Sequence, residues 1–123
     1  MNKELAKIEK LFEKLINAKE EVFPEMRGKL SAPEKKGVYL IINPKNQIVH
    51  VGNTPRAKKG IAQRLKNHIN GSSSFKYHFL NGDGSKLRGK YKYKCLVVEN
   101  PRNMVLLEAY AIAHLCPKHL GVE

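Results

Sequence analysis

Residues 37–52 read Gly37-Val38-Tyr39-Leu40-Ile41-Ile42-Asn43-Pro44-Lys45-Asn46-Gln47-Ile48-Val49-His50-Val51-Gly52. Two β-branched and aromatic runs flank Asn43 to Asn46, all turn formers, so the stretch predicts a β-hairpin. With those four residues as the loop, Ile42 faces Gln47, and counting back brings Tyr39 directly opposite His50. The two side chains then share one face of the sheet, with Cβ atoms roughly 4.5 to 5.5 Å apart.

Working outward toward the N-terminus, Leu5, Ile8, Leu11, Phe12, Leu15, Ile16 and Val22 recur at helical spacing. They predict one amphipathic helix over residues 2–22, about five turns. Pro24, Gly28 and Pro33 mark the loop that follows. Residues 1–34 are therefore expected to be a helix and linker packing on a core built from 35–123. Toward the C-terminus, Thr54-Pro55 reads as a helix start with Thr as cap, and Asn70-Gly71 as its stop. Gly60 divides a short first turn from the helix proper, where Ile61, Leu65 and Ile69 form the buried stripe. Arg64 and His68 share that spacing and flank the stripe. Residues 71–90, rich in Gly and Ser with interspersed basic and aromatic side chains, read as a mobile basic loop or an irregular strand pair. Tyr91 to Val98 resembles a third strand, and Asn100-Pro101 caps a last helix running to about Leu115. The fold class is α+β, with a small, mainly antiparallel three-stranded sheet flanked by helices.

The chain has 123 residues, enough for one domain with a modest core. No run approaches the roughly 18 consecutive apolar residues of a membrane span. The N-terminus alternates Lys and Glu where a secretory signal would be apolar, so an intracellular, cytoplasmic location is the default expectation. Cys95 and Cys116 lack the paired spacing of a zinc site and read as ordinary buried thiols. Net charge is +12, and its distribution is uneven. Residues 1–36 hold 9 basic and 7 acidic side chains, whereas 37–123 hold 14 and 4. A polyanion is the natural partner of the second part, because each phosphate neutralised by Lys or Arg releases condensed counterions. An anionic membrane fits less well, since the basic residues are not gathered on one amphipathic helix.

The last helix carries the sharpest chemical clue. From Asn103 to Cys116 every residue is uncharged at neutral pH except Glu108, which stands among Met104, Leu107, Ala111 and Ile112. In a largely buried helix an ionised carboxylate is costly unless it is paired, hydrogen-bonded or bound to a cation. A salt bridge to a nearby Arg or Lys, or an outward-turned side chain, explains it equally well. Taken singly, Tyr39 reads as a core aromatic, and Arg64 and His68 as polar residues on an exposed helix side. Arg56, Lys58, Lys59, Lys66, Lys76 and Arg88 are either solvated or grip phosphate backbone without reading sequence. Asn81-Gly82-Asp83-Gly84 supplies too few carboxylates for a calcium loop, and Gly84-Ser85-Lys86 lacks phosphate-loop spacing.

Taken together, these residues resemble the GIY-YIG nuclease family, which includes homing endonucleases, some restriction enzymes and the incision nuclease of excision repair. Gly37-Val38-Tyr39 resembles the first family triplet and His50-Val51-Gly52 the second; Arg64-Leu65-Lys66-Asn67-His68 matches the family's Arg-x-x-x-His helix. Leu107-Glu108-Ala109 falls where the family carries its metal-binding Glu. The resemblance covers roughly Lys36 to Leu120. Two positions depart from it: His50 replaces the tyrosine that opens the second triplet, and Pro117-Lys118-His119-Leu120 stands where an Asn usually follows the last helix. The resemblance implies a metal-dependent endonuclease acting on nucleic acid, most naturally DNA. It implies Glu108 holding one Mg²⁺ or Mn²⁺, Tyr39 as general base made acidic by nearby positive charge, and Arg64 on the scissile phosphate. His68 would position water or phosphate, and His50 would support Tyr39. The alternative is a non-catalytic nucleic-acid-binding module with a degenerate site. Either a monomer or a homodimer is compatible with the sequence.

Overall fold

In the computed structural model, which describes residues 2–26, 28–55, 57–71 and 73–120, the hairpin forms the middle and one edge of an antiparallel sheet. The elements are α1 (Lys3–Ile16), β1 (Glu21–Val22), β2 (Gly37–Ile42), β3 (Ile48–Asn53), α2 (Gly60–Asn70), β4 (Lys92–Val97) and α3 (Pro101–Leu115). Strand order is β1-β4-β2-β3, so the sheet has four strands where the sequence predicts three. The extra strand, β1, has two residues, Glu21 opposite Tyr93 and Val22 opposite Lys92, too few to show any periodicity. It also takes Val22 out of the first helix, which ends at Asn17 after about four turns rather than five.

β2 is buried along its whole length because helices cover both faces of the sheet. Tyr39 and Ile41 meet Ile61, Leu65 and Ile69 of α2 on one side, while Val38 and Leu40 meet α1 and α3 through Phe12, Leu15, Met104 and Leu107 on the other. This three-layer arrangement explains the uninterrupted apolar run of β2, which has no solvent face on which to place a polar residue. α3 starts as its sequence predicts, with the Asn100 side chain accepting the Asn103 N–H and Pro101 in the first turn. Its outer face is open, with Val105 and Ala109 exposed, so the helix is less buried than its composition suggests. Among the described residues no helix is long and apolar enough to cross a membrane.

The hairpin register departs from the one expected. Asn43 bonds across to Gln47, and its Oδ1 accepts the N–H groups of Lys45 and Gln47, so the connection is one residue longer. Asn46 takes the left-handed conformation (φ 63°) that Asn tolerates well. A bulge at Val49 then adds a second residue, pairing Ile42 with Ile48 but Ile41 with His50. Tyr39 therefore faces Gly52, not His50. Because the slip totals two residues, His50 keeps the same face as Tyr39 and becomes its diagonal neighbour, with ring centroids 5.9 Å apart.

Thr54 does not cap a helix. It is fully buried, accepts the Gly37 N–H on Oγ1 at 2.9 Å, and points its hydroxyl at Met104 Sδ 3.7 Å away. α2 begins at Gly60 instead, and the carbonyls of Lys35 and Pro33 accept the N–H groups of Ile61 and Ala62. A side chain at Gly60, where φ is +58°, would overlap the Lys35 backbone, so Gly is required for this docked start. The 71–90 stretch is not a loose connector: it makes a π-helical turn (Phe75–Phe79) and a 3-10 turn (Gly84–Leu87), whose Phe75, Leu80 and Leu87 enter the α2 side of the core.

Thr54→Val keeps the shape of this lock but strands the buried Gly37 N–H. Urea unfolding should show a loss of about 1–3 kcal/mol, and Thr54→Ser should retain most of the stability.

Candidate functional site

The site grows from the middle of the hairpin. The Tyr39 ring lies across Gly52, where any Cβ would overlap its Cζ and hydroxyl oxygen, so the last residue of the second triplet must be Gly. Gly37, in the first triplet, is confined in the same way by the Leu96 carbonyl on β4 and the Ile61 side chain. Laid across Gly52, the phenol reaches α2, where its hydroxyl is 2.7 Å from His68 Nε2. His68 is fully buried, with Nδ1 2.8 Å from Ser73 Oγ. His50 packs tilted against Tyr39 and edge-on to His68, and its Nδ1 lies 3.0 Å from Nδ1 of His119.

Beside Tyr39 opens a cleft of about 390 Å³ lined by Tyr39, His50, Gly52, Asn53, Arg64 and Glu108, with Ser74 and Ile112 at its margin. Arg64 is half-buried on α2, and Glu108 projects half-buried from α3. Among the described residues no Lys or Arg pairs with Glu108; its Oε1 accepts the Asn53 side-chain N–H at 3.0 Å. Neither a salt bridge nor a fully outward rotamer accounts for this carboxylate. It is held by one amide at the cleft wall, in surroundings that raise its pKa by burial. A second hollow of about 530 Å³ adjoins the cleft, sharing Asn53 and Arg64 and extending along Thr54, Gln63 and Asn67.

Electrostatics here run against one expectation. Burial pushes the Tyr39 hydroxyl up to about 12, and the Arg64 guanidinium beside it only partly offsets this. A standing phenolate is disfavoured, because desolvation penalises the charged form more than one neighbouring cation repays. The imidazoles are kept neutral by the same cause. His50 falls to about 3 through burial, with His119 and Arg64 adding to the effect, and His68 lies well below its ordinary value through burial, His50 and Arg64.

The expected phosphate-gripping residues are dispersed. Lys58 and Lys59 are exposed in the turn before α2. Lys66 and Arg88 line a different groove, on another flank of α2, and Arg88 reaches toward Glu25 O and Asn70 Oδ1. Lys76 donates from Nζ to Gly71 O. Arg56 lies outside the described residues. Of the thiols, Cys95 is half-buried, but Cys116 is exposed at the left-handed end of α3, so it is not a buried hydrophobe; both are free.

Three neighbours of the site were not legible in the sequence. Asn53 follows Gly52 directly, and its polarity at the end of an apolar strand was the available signal. His119 arrives because the segment after α3 returns along β3, where Lys118 and His119 donate backbone N–H groups to Ile48 and Val49. Ser73 sits in a Gly/Ser run that gives no hint of burial.

The model of the GIY-YIG catalytic domain matches residues 35–116. Among solved structures, the chain is similar to the GIY-YIG N-terminal endonuclease domain of UvrC from Thermotoga maritima bound to its catalytic divalent cation, magnesium. The TM-score is 0.51 with 24% identity, over 89% of this chain and 94% of that one. A tyrosine-to-phenylalanine point mutant of that domain, also bound to its catalytic divalent cation, gives 0.50 and 25% over the same shares. No curated protein matches the sequence. The matched span takes in both triplets, the Arg64–His68 helix and Glu108, and the chain belongs to the GIY-YIG family.

Proposed function

We propose that this protein is a metal-dependent endonuclease that hydrolyses phosphodiester bonds in DNA. The observation that carries the reading is the convergence of Tyr39, Arg64 and Glu108, from three separate elements, on one cleft. Hydrolysis needs a nucleophilic water, charge stabilisation at phosphorus, and orientation of the scissile group. Arg64 suits the last two roles, since a guanidinium can take two phosphate oxygens at once. Tyr39, buried but bordering the cleft, would take the proton of the attacking water, and His50 packs against the phenol.

Glu108 fits a single hard cation. One carboxylate oxygen accepts the Asn53 amide, the residue lines the cleft, and no protein cation pairs with it among the described residues. No group of three His, Cys, Asp or Glu side chains is arranged there to hold a metal among the described residues, which argues against a zinc-type cage. Mg²⁺ or Mn²⁺, bound through one carboxylate and otherwise by water and substrate oxygen, would supply positive charge at the phosphate. The +12 net charge supplies the long-range attraction for DNA.

His50 in the tyrosine position, locked to His119, favours a second reading in which the site binds nucleic acid but does not cut. Supercoiled plasmid separates the two. Wild type should nick or linearise it in Mg²⁺ or Mn²⁺, chelator should stop the reaction, and Glu108→Ala should lower the rate at least about 100-fold while DNA affinity persists. Retention of DNA without cutting in either metal would instead support the binding module. Affinity should also fall steeply between 50 and 200 mM salt, by at least about tenfold, as counterion release requires; a flat salt dependence would speak against a polyanion partner.

The same buried site sets a pH window for stability. The unfolded chain protonates His50 near its ordinary 6.5, whereas the folded chain resists until about 3. Its contribution is therefore fully present above about pH 6.5 and is lost as pH falls toward 3. Urea unfolding at pH 6.5 and 5.5 should differ by about 1 kcal/mol from this residue. His50→Gln should reduce the difference by about that amount, leaving the part due to His68, whose pKa burial also lowers; an unchanged slope in that variant would contradict the assignment.

A further inference from the structure

If Tyr39 accepts a proton from water, its own hydroxyl proton must go somewhere. The phenol is neutral at rest, and its hydroxyl is already committed to His68 Nε2 at 2.7 Å. His68 does not line the cleft; like Tyr39 it is fully buried, but the Tyr39 side chain borders the cleft and His68 lies behind it. Among the described residues, Tyr39 is thus the route by which a proton from the cleft reaches His68.

What His68 can do depends on which ring nitrogen carries its hydrogen. A neutral imidazole has one donor and one acceptor, and the partner of one nitrogen fixes the role of the other. Ser73 Oγ lies 2.8 Å from Nδ1, is buried, and already accepts the Lys76 backbone N–H at 3.0 Å. The Ser73 carbonyl accepts the Tyr77 N–H, so this residue is tied into the first turn of the Phe75–Phe79 segment. A hydroxyl oxygen that accepts one N–H still has a second lone pair, and at 2.8 Å it is within reach of an Nδ1–H. With Nδ1–H donating to Ser73, Nε2 presents its lone pair to the Tyr39 hydroxyl.

We propose that Ser73 is a positioning residue that holds the Nδ1–H form of His68, making His68 the terminal proton acceptor and Tyr39 the relay between it and the attacking water. The proposal rests on the nuclease reading. In the step, the water oxygen bonds to phosphorus as its proton passes to Tyr39 Oη and the Tyr39 hydroxyl proton passes to His68 Nε2. The bond from phosphorus to the leaving sugar oxygen breaks, and that oxygen takes a proton from solvent in the open cleft. His68 ends as an imidazolium and returns its proton to water by the same path. A proton enters Tyr39 as another leaves, so the buried phenolate that desolvation disfavours never accumulates. Burial, with His50, Arg64 and His119 beside it, also opposes the imidazolium, so His68 holds the proton only for the duration of the step, its Nδ1–H donating to the Ser73 oxygen.

The test combines plasmid cleavage with ¹⁵N NMR of the histidine-labelled full chain. Wild-type His68 should carry its hydrogen on Nδ1 and leave Nε2 bare, and Ser73→Ala should move hydrogen toward Nε2. Ser73→Ala should lower kcat about 10- to 100-fold with KM for DNA unchanged, and Ser73→Thr should restore cutting to within about threefold. A wild type that binds DNA without cutting it overturns the nuclease reading and this proposal with it. An active wild type matched by Ser73→Ala, or an Nε2–H form of His68 in the wild type, overturns the relay alone. If Ser73→Ala fails to fold, the wild-type hydrogen position decides.

Discussion

Tyr39 ties together the parts of the molecule on which the site depends. Its backbone sits in the central strand, its ring crosses Gly52 on the neighbouring strand, and its hydroxyl ends on a histidine of α2. Each contact constrains the others. The ring can lie flat only where β3 offers no Cβ, and the hydroxyl reaches His68 only if α2 docks at its observed height. That height is set by the Pro33 and Lys35 carbonyls at the helix start. The packed interior leaves little room for a partial version of this arrangement, since cores respond to a single misplaced methylene.

The electrostatic character of the site follows from the same burial. The chain is strongly basic, yet the cleft wall holds one carboxylate and the imidazole of His50, which burial keeps neutral as it does His68 behind it. Among the described residues bordering this hollow, positive charge comes from Arg64 alone. Lys58 and Lys59 lie in an outer turn and Lys66 and Arg88 along another groove, away from the cleft. In the proposed nuclease, recruitment and chemistry would thereby fall to different layers of the protein. A low-dielectric interior makes each proton transfer sensitive to one hydrogen bond, whereas the exposed lysines act through their sum.

Much of the architecture was readable because it rests on local periodicity or capping. The hairpin, the Ile61–Leu65–Ile69 stripe, the Asn100-Pro101 helix start and the lone carboxylate of α3 all follow from spacing within a few turns. The features that escaped depend on contacts distant in sequence. Thr54-Pro55 has the composition of a helix cap, but its hydroxyl is taken by Gly37 and Met104, so capping passes to the linker carbonyls. The register error arose from an Asn43 side-chain bridge and a bulge at Val49, neither of which alters composition. Residues 71–90 look flexible by their Gly and Ser content, yet Phe75, Leu80 and Leu87 are buried. That Tyr39, Arg64 and Glu108 face one hollow was an inference from the family resemblance, since periodicity alone left Glu108 equally open to pairing or solvent.

The segment after α3 has a consequence for association. β3 is an outer strand, and outer strands invite pairing with a second chain through their free backbone groups. Here the carbonyls of Ile48 and Val49 are already taken by Lys118 and His119. Another copy adding a strand at this rim would have to displace residues 118 and 119 from β3, and with them the imidazole that packs against His50. Growth of the sheet in this direction would therefore cost the contact between His119 and His50.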